Sequence, residues 1–449
     1  MKIAVIGGVA AGTSAAAKAS RENPETDIVI FEQDSDISYA GCGLPYYISG
    51  VTEGRNRVVI NTPRDFSEKY GVDVRIRHRV EEIDTAQKQL IYTDLEENKT
   101  ESYEYDKLII TTGASPVTPP IPGINLPGIF NLRTVGDADR IKNSLAETQV
   151  EKVSIVGGGL IGLEMAEAFK ELDLEVTVIE KMPHVLPPFS AEMSHIVEKH
   201  LQEKDVKLIL NDGVDHFAGN GRVKSVHTEQ GKEISADLVL TALGIKPNFE
   251  LAREAGIETG PTGAIKINQK METSARDVYA AGDCAESINL VTGEPVWMPL
   301  GSTANKQGRV AGENAAGGDS KHRGVTKTAI TKIFALTTAR TGLGEKEVEE
   351  AGLNPVSIKI KAASHAGYYP GVEEINLKGI FAKKSGRILG AEVIGKKGVD
   401  KRIDVLSTAI YSELTANDLF QVDLAYAPPY SSPKDPVAIL GMVAQKQVN

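Results

Sequence analysis

Short apolar runs closed by glycine turns recur along this chain, and after each turn the spacing of apolar positions changes from that of a buried strand to that of a helix. Lys2–Ile6 is the first such run, Gly7-Gly8-Val9-Ala10-Ala11-Gly12 follows it, and an alanine-rich stretch continues to about Arg21. The pattern predicts strand, tight turn and helix, with a second strand over Asp27–Phe31. Residues 153–156, the turn Gly157-Gly158-Gly159-Leu160-Ile161-Gly162, a helix to about Leu172 and a strand over Glu175–Ile179 repeat this plan. Residues 105–114 and 236–244 read as the strands that close each unit, and residues 273–283 as a strand ending in the carboxylate of Asp283. Beyond Arg323 the glycine turns stop. Apolar segments at 356–360, 374–382 and 388–394, then a helix over about 399–414, predict a small α+β domain with an antiparallel sheet. The expected class is α/β, with two Rossmann-like dinucleotide-binding domains followed by this α+β domain. Residues 318–323 are the most linker-like stretch.

A chain of 449 residues exceeds one ordinary core and fits two or three domains. Its 50 Lys+Arg against 61 Asp+Glu give a formal charge of −11, which argues against nucleic acid as a partner and still allows a local basic pocket. The first residues run straight into a strand, without a charged-then-apolar leader. No apolar run approaches the roughly 18 residues that cross a bilayer, so no membrane partner is predicted. Two cysteines without an export signal predict a cytoplasmic protein with reduced thiols. The eight histidines never stand at His-x-x-x-His spacing, and no metal site is predicted.

Glycine lets such a turn close and lets the helix approach its strand, so that backbone N–H groups at the helix start face a pyrophosphate. In the first unit Val9 stands where the fingerprint has its second glycine. Glu32, 25 positions after Gly7 at the end of the next strand, supplies the carboxylate that would accept a ribose hydroxyl. The second unit fills all three glycine positions and ends in Glu180, which repels a 2′-phosphate and favours NADH; Lys181 softens this and leaves NADPH open. Two such units suggest two dinucleotides that exchange electrons. Cys42 follows the first unit, and Pro45 fits the first turn of a helix, which would put the thiol near that helix's N-terminus and lower its pKa below about 8.5. Cys284 has no activating cation nearby in sequence and reads as packing.

With these motifs in place, the chain resembles the FAD- and NAD(P)H-dependent pyridine nucleotide–disulfide oxidoreductases over essentially its whole length. The resemblance implies an FAD domain in two parts, 1–112 and 246–322, interrupted by an NAD(P)H domain at 113–245, with a dimerisation domain at 323–449. It implies FAD held by Gly7, Gly8, Ala11, Gly12, Glu32, Thr112, Gly113 and Asp283, with Ala304 on a helix starting near Ser302 whose N-terminus faces the flavin pyrimidine. NAD(P)H would lie on Gly157, Gly159, Gly162, Glu180 and Gly244. Relatives that use an internal cysteine pair would often carry the second cysteine at position 47, which here is Tyr47, so the second sulfur comes from outside the chain.

The branch is read from three places. Ala10 stands where NADH peroxidases and many water-forming NADH oxidases of the family carry a histidine. Residues 365–371, 398–406 and 423–431 resemble the coenzyme A-disulfide reductases. That resemblance implies a homodimer in which Tyr368 and Tyr426 of one subunit reach Cys42 of the other and protonate a departing thiolate. Coenzyme A would be the covalent or bound thiol, with Ser38 and Asn305 and the cations Lys18, Arg21 and Arg309 as candidates to receive it. A small-molecule disulfide is the implied substrate. A persulfide or polysulfide is the close alternative, an NADH oxidase with a sulfenic acid on Cys42 a weaker one, and a flavin–thiol redox sensor the non-enzymatic one.

Overall fold

The computed structural model describes residues 1–448; Asn449, the last position of the expected C-terminal domain, lies outside the described residues. Lys2–Ile6 pairs in parallel with Asp27–Phe31 on one side and Lys107–Ile110 on the other, and Asp73–Arg75 and Val278–Ala280 form the edges. Parallel sheets are covered on both faces, which is why these strands are nearly continuous Ile, Val, Ala and Leu. The sheet reverses its strand order beside Lys2–Ile6, so a crevice opens at that strand's carboxyl end, just where the first glycine turn stands.

A second parallel sheet repeats the arrangement: Lys152–Val156 lies between Glu175–Ile179 and Leu238–Thr241, flanked by Val206–Ile209 and Ile129–Phe130. The antiparallel pair Ala114–Pro116 and Ile245–Pro247 is where the chain leaves the first unit and returns to it. Each unit also carries a three-stranded antiparallel meander that the hydrophobic pattern does not predict, one within 78–104 and one within 214–235. Strand Lys99–Glu104 shows why: its side chains are mostly exposed and polar, so it has no apolar signal.

The C-terminal sheet has five antiparallel strands in the order Ala329–Ile333, Leu336–Gly342, Ile388–Gly395, Glu374–Ala382 and Pro355–Ala363. The first two are absent from the sequence reading, because a tight turn at Phe334 (φ 53°) joins them within one unbroken stretch. Helix Val399–Tyr411, shorter than expected at its end, packs with Pro436–Ala444 on this sheet. The linker-like stretch is anchored: buried Asn314 donates to Ser320 O at 2.9 Å and accepts from Ser320 N at 2.7 Å.

Candidate active site

The first glycine turn is a cradle that side chains would fill. A Cβ on Gly12 would sit 1.8 Å from Gly7 O, and one on Gly7 2.3 Å from Thr111 O. Val9 has a φ of −103°, outside the left-handed region that favours glycine. Glu32 is buried and accepts from Gly8 N at 2.7 Å and Asp34 N at 2.9 Å; burial pushes its carboxyl up, and these N–H groups oppose the rise.

Helices Ala10–Glu22, Leu160–Lys170 and Gly301–Ala315 all begin without a side-chain cap. By contrast Thr62, Thr134, Thr415 and Asp435 cap other helices. Ala191–Glu203 and Val399–Tyr411 also begin without a side-chain cap; Ala10–Glu22 and Leu160–Lys170 differ in following a glycine turn, an arrangement suited to the phosphates of dinucleotides. The residues present therefore fit FAD in the first unit and a nicotinamide nucleotide in the second.

Around Asp283 the structure gathers groups that the sequence reading misses. Arg133 Nη2 donates to Asp283 Oδ2 at 2.9 Å, Trp297 Nε1 donates to Asp283 O at 2.8 Å, and buried Gln307 accepts from Gly282 N at 2.9 Å. They come from three separate segments, and only the chain's single tryptophan could have drawn notice in sequence. Gly113 (φ 70°) lies beside Arg133, and Thr112 Oγ1 donates to Asn248 O at 2.7 Å, tying the outgoing and returning strands. Ala304 is buried in the first turn of Gly301–Ala315.

In the second unit Glu180 repeats the role of Glu32, accepting from Gly158 N and Met182 N, each at 2.7 Å. A Cβ on Gly162 would meet Gly157 O at 2.0 Å, whereas Gly159 has open space around it. Gly244 holds a left-handed φ of 94° at the end of the closing strand. Lys181 points to Glu229 at 2.9 Å. Gly159 and Leu160 border a cavity of about 810 Å³ that continues past Met298, Pro299 and Leu300 to the C-terminal sheet.

Cys42 lies in a single 3₁₀ turn, Gly41–Gly43, which leads into helix Leu44–Ser49 with Pro45 in its first turn. Ala40 N donates to Val58 O at 2.7 Å and Gly43 N to Ala40 O at 2.8 Å, so the turn is fixed while the thiol itself stays open to solvent. Tyr47 is committed elsewhere: its ring is buried and its hydroxyl donates to Asp139 at 2.9 Å.

The expected lowering of the thiol pKa is corrected by the protein's own field. Crowding around the cleft floor raises the Cys42 pKa first, Glu164 and Asp283 raise it further, and Arg133 alone opposes them. A six-residue helix does not outweigh two carboxylates. Glu164, on Leu160–Lys170, is a missed residue of this site: its charge reaches Cys42 and Tyr46, burial pushes its own carboxyl up, and Thr331 Oγ1 donates to it at 2.6 Å. Its one signal in sequence is a carboxylate in an otherwise apolar helix start. Cys284 is buried, its sulfur 3.4 Å from Ala281 O and 3.5 Å from Ile110 O.

Tyr368 and Tyr426, 58 positions apart, are brought together with their hydroxyls 3.4 Å apart, and both rings are exposed. The hydrogen bond with Tyr368 raises the Tyr426 phenol. The candidate thiol-binding residues are spread over helices Ala10–Glu22 and Gly301–Ala315 and the Cys42 segment. Lys18 is already paired with Glu22 and with Glu313 at 2.9 Å, so it is not the free cation that the sequence suggests. Arg21 lies 5.6 Å over Tyr70, Asn305 donates to Ser14 Oγ at 2.8 Å, and Arg309 is exposed without an ion pair among the described residues. Ser38 adopts a left-handed φ of 49° and ties its segment to the first glycine turn, its N donating to Gly8 O at 2.9 Å and its Oγ accepting from Asn61 at 2.8 Å. Among the described residues no His, Cys, Asp and Glu cluster suits a metal ion, and no helix is long and apolar enough to cross a membrane.

Two glycine-turn cradles of dinucleotide type and one accessible thiol in the same chain fit an NAD(P)H-dependent flavoprotein oxidoreductase. The chain belongs to the pyridine nucleotide-disulphide oxidoreductases: the family's model matches residues 1–308, and that of the family's dimerisation domain matches residues 328–436. The fold class and the family resemblance read from the sequence are thereby borne out. The chain is 41% identical over 444 residues to an NAD(P)H coenzyme A polysulfide/persulfide reductase of Pyrococcus horikoshii, covering 98% of each protein. It is 33% identical to a coenzyme A disulfide reductase of Staphylococcus aureus, covering 99% of this chain and 100% of that one. A solved NAD-dependent persulfide reductase from A. fulgidus superposes with a TM-score of 0.97 at 41% identity, over 99% of this chain and 83% of that one.

Proposed function

We propose that this enzyme uses NAD(P)H to reduce coenzyme A disulfide, or a related small disulfide, through Cys42. The observation that carries the reading is the solitary accessible thiol, with Tyr47 buried where an internal partner would stand. The Cys42 thiolate attacks one sulfur of the incoming disulfide, the S–S bond breaks, and one coenzyme A leaves as a thiolate while the other stays on Cys42 as a mixed disulfide. FAD, when bound, supplies the two electrons from NAD(P)H that release the second coenzyme A. Over a cycle one NAD(P)H, one proton and one disulfide become one NAD(P)+ and two thiols.

In a homodimer built on the C-terminal sheet, Tyr368 and Tyr426 of one subunit protonate the thiolate leaving Cys42 of the other. Ser38 and Asn305 orient the bound thiol, and Arg21 and Arg309 receive its phosphates; Lys18 joins them only by giving up Glu313. Arg133 is the one cation that favours the thiolate and lowers the Cys42 pKa toward the working range. Gly7, Gly8, Ala11, Gly12, Glu32, Thr112, Gly113, Asp283 and Ala304 hold FAD. Gly157, Gly159, Gly162, Glu180 and Gly244 hold NAD(P)H, with Glu180 favouring NADH. The domain seams belong to the same reading: FAD domain 1–112 and 246–322, NAD(P)H domain 113–245, dimerisation domain from 323. The reading places the enzyme in the cytoplasm, where free thiols persist.

A second reading, reduction of a persulfide or polysulfide at the same sulfur, is supported by the 41% identity to relatives bearing that name. The test is Cys42→Ser holoenzyme. Disulfide turnover falls about a thousandfold while NADH still reduces a quinone at an undiminished rate. Full disulfide turnover in that variant overturns the proposal.

A further inference from the structure

We infer that the buried pair Arg402–Asp435 is a positioning device that sets the Tyr368 and Tyr426 hydroxyls; the inference rests on the reading that these phenols serve Cys42 of a partner subunit. Within one subunit the two rings are 77% and 48% exposed and share one 3.4 Å contact, so before they meet a partner little in their own chain holds them. What their own chain contributes to their placement comes from the bases of the loops that carry them.

Those bases meet at one guanidinium. Arg402, on helix Val399–Tyr411, is only 1% exposed. Its Nη2 carries two N–H groups, which go to Ser364 O at 2.9 Å, four residues before Tyr368, and to Asp435 Oδ2 at 2.9 Å. Tyr430 O, four residues after Tyr426, and Ser431 Oγ lie 3.4 Å and 3.3 Å from the same nitrogen. Ser431 Oγ donates to that carboxylate oxygen at 2.7 Å, and Asp435 Oδ1 accepts from Val437 N at 2.9 Å. Next to Arg402, Lys401 donates to Ala425 O, the carbonyl preceding Tyr426, at 3.1 Å. Ala366 N donates across to Pro428 O at 3.3 Å, joining the loops directly.

Two details separate positioning from plain packing. Arg402 Nε is buried without a partner, so the fork is turned toward the two loops and leaves one of its own donors unsatisfied. A Cβ on Gly398 would meet Arg402 Nη1 at 2.1 Å, while Gly398 O accepts from that nitrogen at 3.1 Å. The segment 398–406, singled out in sequence, is therefore a seat for a guanidinium. The planar group ties Nη1 to Gly398 O and aims the two N–H groups of Nη2 at Ser364 O and Asp435, a fixed geometry that a rotating lysine ammonium does not keep.

The test uses intact holoenzyme and two variants, Arg402→Lys and Asp435→Asn, so that a folding failure of one leaves the other. Each is measured alone and combined with Tyr368→Phe/Tyr426→Phe. Either variant alone should lower kcat for coenzyme A disulfide between about tenfold and a hundredfold, with NADH:quinone turnover unchanged. In the double-phenylalanine background the same change should cost no more than about twofold, because the groups it positions are gone. Multiplicative losses, or quinone turnover falling in parallel, overturn the inference and leave the tyrosine reading standing. Full disulfide turnover in the double-phenylalanine variant alone overturns both.

Discussion

The two glycine-turn units share one backbone plan and differ in what lies against their helices. In both, the first glycine leaves no room for a Cβ, which would meet a carbonyl at 2.3 Å, and the buried glutamate accepts from the second residue of the turn at 2.7 Å. On the flavin side, helix Ala10–Glu22 is sealed by Gly301–Ala315, whose Gly308 and Gly312 approach so closely that a Cβ would lie 2.2 Å and 2.1 Å from Ala11 O and Ala15 O. On the nicotinamide side, a Cβ on Gly159 would meet nothing within 4 Å, Ile161 is 40% exposed, and a cavity of about 810 Å³ opens beside Gly159 and Leu160. The same motif thus makes a closed seat suited to a resident cofactor and an open one suited to a nucleotide that exchanges.

The sharpest way to break this contrast is to put side chains into both turns. Gly12→Val forces a branched side chain against backbone and should cost roughly 3 kcal/mol or more, seen as loss of flavin absorbance and of the cooperative melt. Gly159→Val should keep flavin and melting temperature while raising KM for NADH about tenfold. Loss of flavin or of melting temperature in Gly159→Val, which fills the place that Val9 holds in the first turn, would dissolve the distinction. Next in size, Glu180→Gln removes the charge that repels a 2′-phosphate, and the kcat/KM ratio of NADPH to NADH should rise about tenfold. Glu32→Gln should weaken FAD retention and leave that ratio alone.

A smaller effect belongs to the strand that the flavin sheet recovers after the interruption. Asp277, just before Val278–Ala280, pairs with Lys107 at 2.5 Å and Lys88 at 2.6 Å, and these bonds hold its carboxyl down to about 2. Its folded value lies below the unfolded one, so its stabilisation is present above the unfolded value of about 3.8 and is lost as pH falls through about 2. Asp277→Asn should therefore lower stability by roughly 1 kcal/mol near neutrality, discounted for solvent screening, with the difference from wild type gone by about pH 2 in denaturant titrations. The smallest change is Val9→Gly: the added chain entropy should cost about 0.5 kcal/mol and leave flavin affinity within about twofold.

What could be read from the sequence follows from range. The glycine turns, Glu32 and Glu180 are local patterns whose geometry is fixed by neighbours in the chain, and they stand where the motifs imply. Arg133, Glu164 and Trp297 could not be read, because what assembles them is strand order and helix packing between distant segments. The Cys42 pKa was misjudged for the same reason: the proline and helix start are visible locally, while the burial that raises it first comes from packing, and Glu164 and Asp283 arrive from 122 and 241 positions away. Strands Ala329–Ile333 and Leu336–Gly342 were hidden by a turn without glycine or proline.

The central claim is that Cys42 carries the second sulfur only by borrowing it. Mass spectrometry of enzyme stripped of bound thiols, then given coenzyme A disulfide without nucleotide, tests this most directly. A single coenzyme A per subunit on the Cys42 peptide, released when NADH is added without oxygen, is the result the account predicts. No adduct, an adduct on Cys284, or one that NADH leaves in place would contradict it.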